Sequence, residues 1–371
     1  MFKRTLGLLI AVSAPMLALF SPQTVRAQQT GQQWVIASDH PDDTVGGSAI
    51  RQFSVSLSER TGDAVSGIIR TKSKPKFEEL IEEIQQGRLQ VVDVFSGSLV
   101  RLDPIFELPT LPFIVRSASD AHQLACIALP AYRSALSKAG FHLLFISPWP
   151  PTGLWSREPV DSEADIAALK VRTYDEASAE VLQAIGVQAV ALPIHEVAPR
   201  LRIGSLNAVL SSGDGAVGKL LAKDLPNFSA IGYAYPTSFV LMKASVYKAL
   251  PKRLRDQVDA AATDVSEQQW NAFPQRIRSN YERMKYAGVT VAMSPTGAME
   301  SRLADASRDR VESWLSRVPA SYAEIIKSLH DAKAKAVTDA CTSKFDSLKV
   351  QKTAPYAASV TASRDAVSAL Y

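Results

Sequence analysis

From Lys170 to Leu210 the chain alternates short β-leaning runs with helical ones, and few folds accommodate that alternation. KVRTY (Lys170 to Tyr174) is β-leaning and carries an arginine in its middle. Glu176 to Ile185 sets Ala177, Val181, Leu182 and Ile185 at helical spacing. Gly186 then stands where a C′ glycine ends a helix. Val187 to Leu192 reads as a second strand, Glu196 to Leu201 as a short helix and Leu206 to Leu210 as a third strand. Such a pattern predicts βαβ units and a parallel sheet. Ligands on these sheets bind beyond the carboxyl ends of the strands, and Arg172 is sited to meet one there.

The first third of the chain repeats the pattern. Strands are predicted at Trp34 to Ser38, Val65 to Arg70 and Val91 to Phe95, with helices at Ser48 to Thr61 and Phe77 to Gln86. The last strand opens into Ser96-Gly97-Ser98. Phe106 to Val115 holds two prolines and is expected to pack as an extended segment. A helix is predicted over Ser119 to Ala139, bent or divided at Pro130, and a strand over Phe141 to Ile146. Pro148-Trp149-Pro150-Pro151 forms a tight corner that suits a crossing between domains, and Ala230 to Met242, interrupted by Pro236, suits the return crossing. From Pro251 an apolar stripe through Leu254, Val258, Phe273 and Met284 marks a long helix, with a kink or break expected at Pro274. A strand at Val289 to Met293 and two or three helices from Ala298 to Lys349 complete the reading. The domains expected are 28–148 with 235–270, and 149–234 with 271–345 including the C-terminal helices, followed by a tail at 346–371.

Residues 1–27 read as a secretory signal peptide: basic Lys3 and Arg4, an apolar run from Leu6 to Phe20, and Val25-Arg26-Ala27 as the cleavage site. That run is shorter than the ~20 residues a membrane span needs. Cleavage would remove three of the 41 basic residues and none of the 37 acidic ones, leaving a nearly neutral chain. Net charge therefore lends nothing to a nucleic-acid or anionic-membrane partner. Cys126 and Cys341 permit one bridge in an oxidising compartment; the alternative is two small buried hydrophobes. With no CxxC, HExxH or Cys/His cluster in the sequence, neither a structural metal nor a cofactor is expected.

Four stretches in this order resemble one family. FEELIEEIQQGRLQVVDVFSGSL, FELPTLPF, GLWSREPVDSEADIAALKVRTYD and AIGVQAVALPIHEVAPRLRIGSLNAVL are similar to the segments of the solute-binding subunits of tripartite ATP-independent periplasmic (TRAP) transporters. The resemblance spans about Trp34 to Leu348. It implies an α/β, two-domain periplasmic solute-binding fold, each domain a mixed, mostly parallel sheet flanked by helices, joined by crossing strands and a long helix. It also implies a non-enzymatic monomer that captures a small organic acid and delivers it to integral-membrane permease subunits. In that family the arginine of the K-(I/V)-R motif clamps the ligand carboxylate, and Arg172 matches it. A planar guanidinium fork suits a carboxylate in a way that lysine cannot.

The chain departs from the family pattern in two loops. PPTGLW lacks the second arginine of many members, and Ser211-Ser212-Gly213-Asp214 replaces an E-x-P motif. Those loops are where this chain's own ligand preference is expected to reside. Other candidate ligand-binding residues are Trp149 and Trp155 as pocket walls, Ser96 and Ser98 at a strand end, Ser211, Ser212 and Asp214 beyond another, His40 in the DHPDD loop, and Tyr235 at the return crossing. Ser211, Ser212 and Asp214 would serve equally as a turn capping the next helix. Two other functions fit the same features: an exported ligand-binding sensor, and an exported hydrolase. The hydrolase lacks a GxSxG elbow.

Overall fold

Two sheets organise the chain, and each is covered on both faces. The computed structural model describes residues 31–71, 77–293 and 297–334. The leader, the tail and Cys341 lie outside the described residues; Cys126 is not a free thiol. Among the described residues no helix is long and apolar enough to cross a membrane.

The first stretch comprises β1 (Gln32–Ser38), α1 (Val45–Thr61), β2 (Val65–Arg70), α2 (Phe77–Gln85), β3 (Val91–Phe95), α3 (Ser96–Leu99), a 3₁₀ helix at Pro104–Thr110, α4 (Ala118–Lys138) and β4 (Phe141–Pro148). The second comprises β5 (Gly153–Ser156), α5 (Glu163–Ala167), β6 (Lys170–Thr173), α6 (Glu176–Ala184), β7 (Gln188–Ala191), a 3₁₀ turn at Ile194–Glu196, α7 (Val197–Arg202), β8 (Ala208–Ser211), α8 (Ala216–Leu221) and β9 (Asn227–Ser229). The chain then returns through β10 (Thr237–Lys243), α9 (Ala244–Ala249), α10 (Lys252–Tyr286), β11 (Thr290–Ala292), α11 (Gly297–Arg317) and α12 (Ala320–Ala334).

One sheet runs β2-β1-β3-β10-β4 and the other β11-β9-β5-β8-β6-β7. Both are mixed. In the first, β10 lies antiparallel between β3 and β4; in the second, β5 lies antiparallel between β8 and β9. The βαβ units are parallel as expected: β1 pairs with β2 and β3, and β6 with β7 and β8. The crossing segments lie side by side, with hydrogen bonds from Trp149 N to Pro236 O and from Thr152 N to Ala234 O, each 2.9 Å.

Local chemistry sets the element ends. The Asp175 carboxylate accepts from Ser178 N at 2.9 Å and starts α6. Gly186 follows α6 at φ 85°, the left-handed value that favours glycine. Ser162 and Asp165 form a capping box at α5.

Several expectations need correction. Pro104–Thr110 is a 3₁₀ helix, not extended chain. Pro104 sits in its first turn, where a missing N–H costs nothing, and the Asp103 carboxylate accepts from Ile105 N at 2.9 Å. Pro130 does not divide α4, and Pro274 does not break α10, which runs 35 residues. One lost backbone bond is outweighed by the apolar faces those helices bury. Only Thr237–Lys243 of the return crossing is a strand, beginning just past Pro236. β5 and β9, of four and three residues, were too short for any periodicity to predict.

Each face of each sheet has its own core. In the first domain, Ile50, Phe53, Val258 and Val265 of α1 and α10 cover one face, while Phe106, Tyr132 and Trp314 cover the other. Phe239 of β10 stands edge-on to Phe106 at 5.1 Å and to Tyr132 at 4.9 Å. Each such buried side chain contributes roughly 1.5–3 kcal/mol. In the second domain, Val181, Leu182, Met299 and Leu303 cover one face and Leu201, Leu221 and Met284 the other. Thus α10 and α11 contribute to both domains. α12, expected with the second, buries Ile325, Ile326 and Leu329 in the first.

Candidate functional site

Arg172 lies on β6, opposite Val190 of β7 and Val209 of β8. Its side chain is only 6% exposed. Nε donates to Leu192 O at 2.7 Å and Nη1 to Leu210 O at 3.4 Å, so the carbonyls of two neighbouring strand ends hold the guanidinium in place. Among the described residues Nη2 has no hydrogen-bond partner and no carboxylate forms an ion pair with Arg172. Burial lowers its pKa to about 10 while Asp175 pulls the other way, and the group stays charged at neutral pH.

Aromatic rings from both domains meet beside it. Phe95, at the end of β3, stands edge-on to Tyr174, just past β6, at 5.5 Å, and edge-on to Trp149 at 6.3 Å. His40 tilts over Trp149 at 4.7 Å. Several buried polar atoms here lack a hydrogen-bond partner among the described residues: Ser96 Oγ, Asp93 Oδ1, Trp155 Nε1, Tyr174 Oη, Asp175 Oδ2 and Tyr233 Oη. Burial raises the Asp175 carboxyl pKa, which Ser178 partly offsets, and holds both tyrosine hydroxyls well above their usual range. A buried cation with no ion-pair partner among the described residues, set among polar atoms and rings, is suited to bind a small polar anion. Asp39, His40 and Asp93 are the group of described residues able to hold a cation, their ligand atoms lying within 4.8 Å of one another.

The two domains are clasped on two sides of the group. Asp214, past β8, is fully buried; it accepts from Val45 N at 2.9 Å and from Arg276 Nε and Nη2 at 3.1 and 2.5 Å. Reciprocally, Asp43 of the first domain accepts from Ala216 N at 2.9 Å and from Lys219 Nζ at 3.1 Å. On the other side, Arg310 of α11 pairs with Glu107 of the first domain and lies 3.6 Å from Glu180 of the second. Burial raises the Glu107 carboxyl pKa, and Arg310 and Arg317 resist it.

The other residues named from sequence fall into different positions. Trp149 faces His40 and donates from Nε1 to Ser238 Oγ at 2.9 Å. Trp155 is fully buried against Phe228 and the Gly213 turn. Ser96 is buried and Ser98 half-buried, both on α3. Ser211 Oγ accepts from Gly213 N at 3.1 Å within its own turn, and the Ser212 carbonyl accepts from Asn280 Nδ2 at 2.7 Å. Asp214 is engaged in the clasp, because it caps a helix of the other domain instead of α8 next to it. Tyr235 is turned elsewhere: its hydroxyl donates to Arg116 O at 3.1 Å and its ring packs on Phe273. Tyr174, Asp175, Tyr233, Phe95 and Asp93 were not singled out. An acid inside the apolar run VVDVF was the available signal for Asp93, and position at a strand end the signal for Tyr174 and Asp175.

Gly213 ties this loop to Trp155. Its φ is 62°, and a Cβ there would lie 2.2 Å from Trp155 Cζ2. Gly213→Ala is expected to destabilise the protein by about 1–3 kcal/mol, read as a lower urea midpoint at unchanged slope.

The sequence profile of the bacterial extracellular solute-binding proteins of family 7, the DctP family, matches residues 36–309. The chain belongs to that family. The TRAP-type resemblance and the two-domain fold agree with it. A solute-binding protein of Chromohalobacter salexigens is 21% identical over 298 residues, covering 75% of this chain and 84% of the relative. Among solved structures, DctP7 of Bordetella pertussis, an extracytoplasmic solute receptor binding pyroglutamic acid, is 23% identical with a TM-score of 0.75, covering 81% of this chain and all of the other. A TRAP periplasmic solute-binding protein of Sulfitobacter with bound β-D-galacturonate has a TM-score of 0.72 at 16% identity, with the same coverage. Such structural likenesses establish the fold alone. The family is one of extracytoplasmic receptors, not of enzymes.

Proposed function

We propose that the protein is a TRAP-type receptor whose domains close on a small organic acid, with the acid's carboxylate on Arg172, and that it delivers the acid to a membrane permease. The observation that carries this reading is Arg172 itself: a buried guanidinium, fixed by two backbone carbonyls, with no carboxylate of the described residues in an ion pair with it. A charge in that position is costly unless a counter-ion joins it, and a ligand carboxylate would supply one. Ser96, His40, Trp149 and Trp155 form the walls in this reading, and the Asp214 and Glu107 clasps hold the domains shut. The acids held by the Bordetella and Sulfitobacter receptors support the ligand class.

Thermal-shift screening of a panel of small acids tests it. An acid at a hundredfold excess over its Kd is expected to stabilise the protein by about 2.7 kcal/mol, and calorimetry should then give one site per chain. Mass spectrometry of the denatured protein would identify any co-purified acid. If a broad panel of mono- and dicarboxylates leaves the melting temperature unmoved, the reading fails.

A further inference from the structure

Three polar side chains meet where β1 ends. Ser38, the last residue of β1, lies in register with Asp93 of β3, so Asp39 and His40 follow directly beside that carboxylate. His40 Nδ1 lies 2.7 Å from Asp39 Oδ1 and 3.8 Å from Asp93 Oδ2. Both spacings are below about 4.2 Å, twice a typical metal–ligand bond, so one ion can touch the ring nitrogen and either carboxylate. Asp39 Oδ1, His40 Nδ1 and Asp93 Oδ1 are all buried, and none has a hydrogen-bond partner among the described residues. The 2.7 Å approach is thus badly angled for a hydrogen bond.

We infer that Asp39, His40 and Asp93 bind one divalent first-row transition-metal ion of the zinc class, which ties the DHPDD loop to β3. The site is separate from the acid-binding reading and does not depend on it. No motif in the sequence announces it, because the third ligand comes from a different strand.

Three considerations support the site and its class. Two carboxylates face one imidazole, so the group is net negative in either protonation state of the ring. No lysine or arginine of the described residues pairs with Asp39 or Asp93. Asp93 is fully buried, and a buried negative charge is costly until a cation joins it. Next, the ligands are held from behind. Ser38 Oγ donates to Asp93 Oδ2 at 2.8 Å and accepts from His40 N at 3.1 Å, as the outer partners of metal ligands do. A Cβ on Gly46 would lie 2.1 Å from Asp93 Oδ2, so the backbone of α1 closes over the carboxylate, and Trp149 covers the imidazole at 4.7 Å. Finally, one ring nitrogen with two carboxylates suits zinc and its first-row neighbours, whereas calcium takes six to eight oxygens.

The test is calorimetry of the untagged protein, stripped with EDTA, dialysed free of chelator and titrated with zinc chloride in the absence of any acid ligand. One zinc per chain is expected, with a Kd in the micromolar range or tighter, and calcium at least roughly tenfold weaker. His40→Ala and Asp93→Asn should each weaken zinc binding by more than roughly a hundredfold, and the positioning change Ser38→Ala by about tenfold. His195→Ala, at an exposed histidine, should leave it unchanged. Anomalous scattering at the zinc edge, from crystals of the unmodified protein grown with zinc, should place the ion between the three side chains, and this decides the matter even if the variants fail to fold. The absence of stoichiometric zinc binding, an ion located elsewhere, or zinc binding that survives in His40→Ala would overturn the site. Calcium binding as tight as zinc would overturn its class. Since no acid is present, a failure here leaves the acid reading untouched, and a failure of the acid panel leaves the zinc site untouched.

Discussion

Arg172→Met is expected to weaken binding of the acid by more than about 2 kcal/mol, roughly thirtyfold in Kd, while leaving the ligand-free protein at least as stable as before. The two halves of that result have one cause. Among the described residues, the buried guanidinium has the Leu192 and Leu210 carbonyls as its hydrogen-bond acceptors and no carboxylate in an ion pair. Replacing an unpaired buried charge with an apolar side chain of similar reach removes a desolvation cost, partly offset by the carbonyls left without donors. Binding, by contrast, loses its charge-assisted pair outright. Arg172→Lys separates charge from shape. An ammonium keeps the charge but cannot reach both carbonyls and a carboxylate together, so most of the affinity should still be lost. Calorimetry gives Kd, and a urea melt without ligand gives stability. An affinity within threefold of the unmodified protein would remove Arg172 from the site. A large fall in ligand-free stability would make it a structural residue instead.

The strand position of Arg172 could be read from sequence because its context is local. A β-leaning run, a helical run directly after it and a glycine at the helix end together place it near the end of a strand, whatever the rest of the chain does. Long-range partners were not legible in this way. Asp214 and Val45 are 169 residues apart, and nothing in SSGDG says that its acid will cap a helix of the other domain. The same holds for β5. GLWS is four residues with no alternation, and its place is set by close packing: a Cβ on Gly153 would lie 2.2 Å from the Phe228 ring. Prolines misled for a related reason. Pro109, Pro130 and Pro274 each remove a local hydrogen bond, but the helices that hold them bury Leu108, Tyr132 and Phe273 nearby, and packing outweighs one lost bond. Asp93 was visible as an oddity, an acid in an apolar strand, but its use required knowing that β1 brings Ser38 and the His40 loop beside it.

Asp214→Ala is expected to speed ligand release and weaken affinity by about 2–4 kcal/mol without touching the ligand. Val45 N is the first N–H of α1, one of the donors a helix start cannot satisfy internally. Asp214 meets it from the other domain and adds two bonds to Arg276 of α10. Asp43 returns the arrangement, meeting Ala216 N at the start of α8. Each domain thus caps a helix of the other, and opening the cleft would expose both helix starts and both acids together. Water can replace the exposed half of this pair cheaply, since the Asp43 side chain is 43% exposed, but Asp214 is fully buried. Asp43→Ala should therefore cost no more than about 1 kcal/mol, well below Asp214→Ala. Because apparent affinity scales with the fraction of closed protein, loss of the buried cap should appear mainly as a faster off-rate. It should also appear as a larger radius of gyration without ligand. Stopped-flow release and small-angle scattering measure the two. Arg172→Met should also weaken binding but leave the ligand-free shape unchanged. If Asp214→Ala releases ligand at the original rate from a protein of unchanged size, the reciprocal caps do not hold the cleft shut.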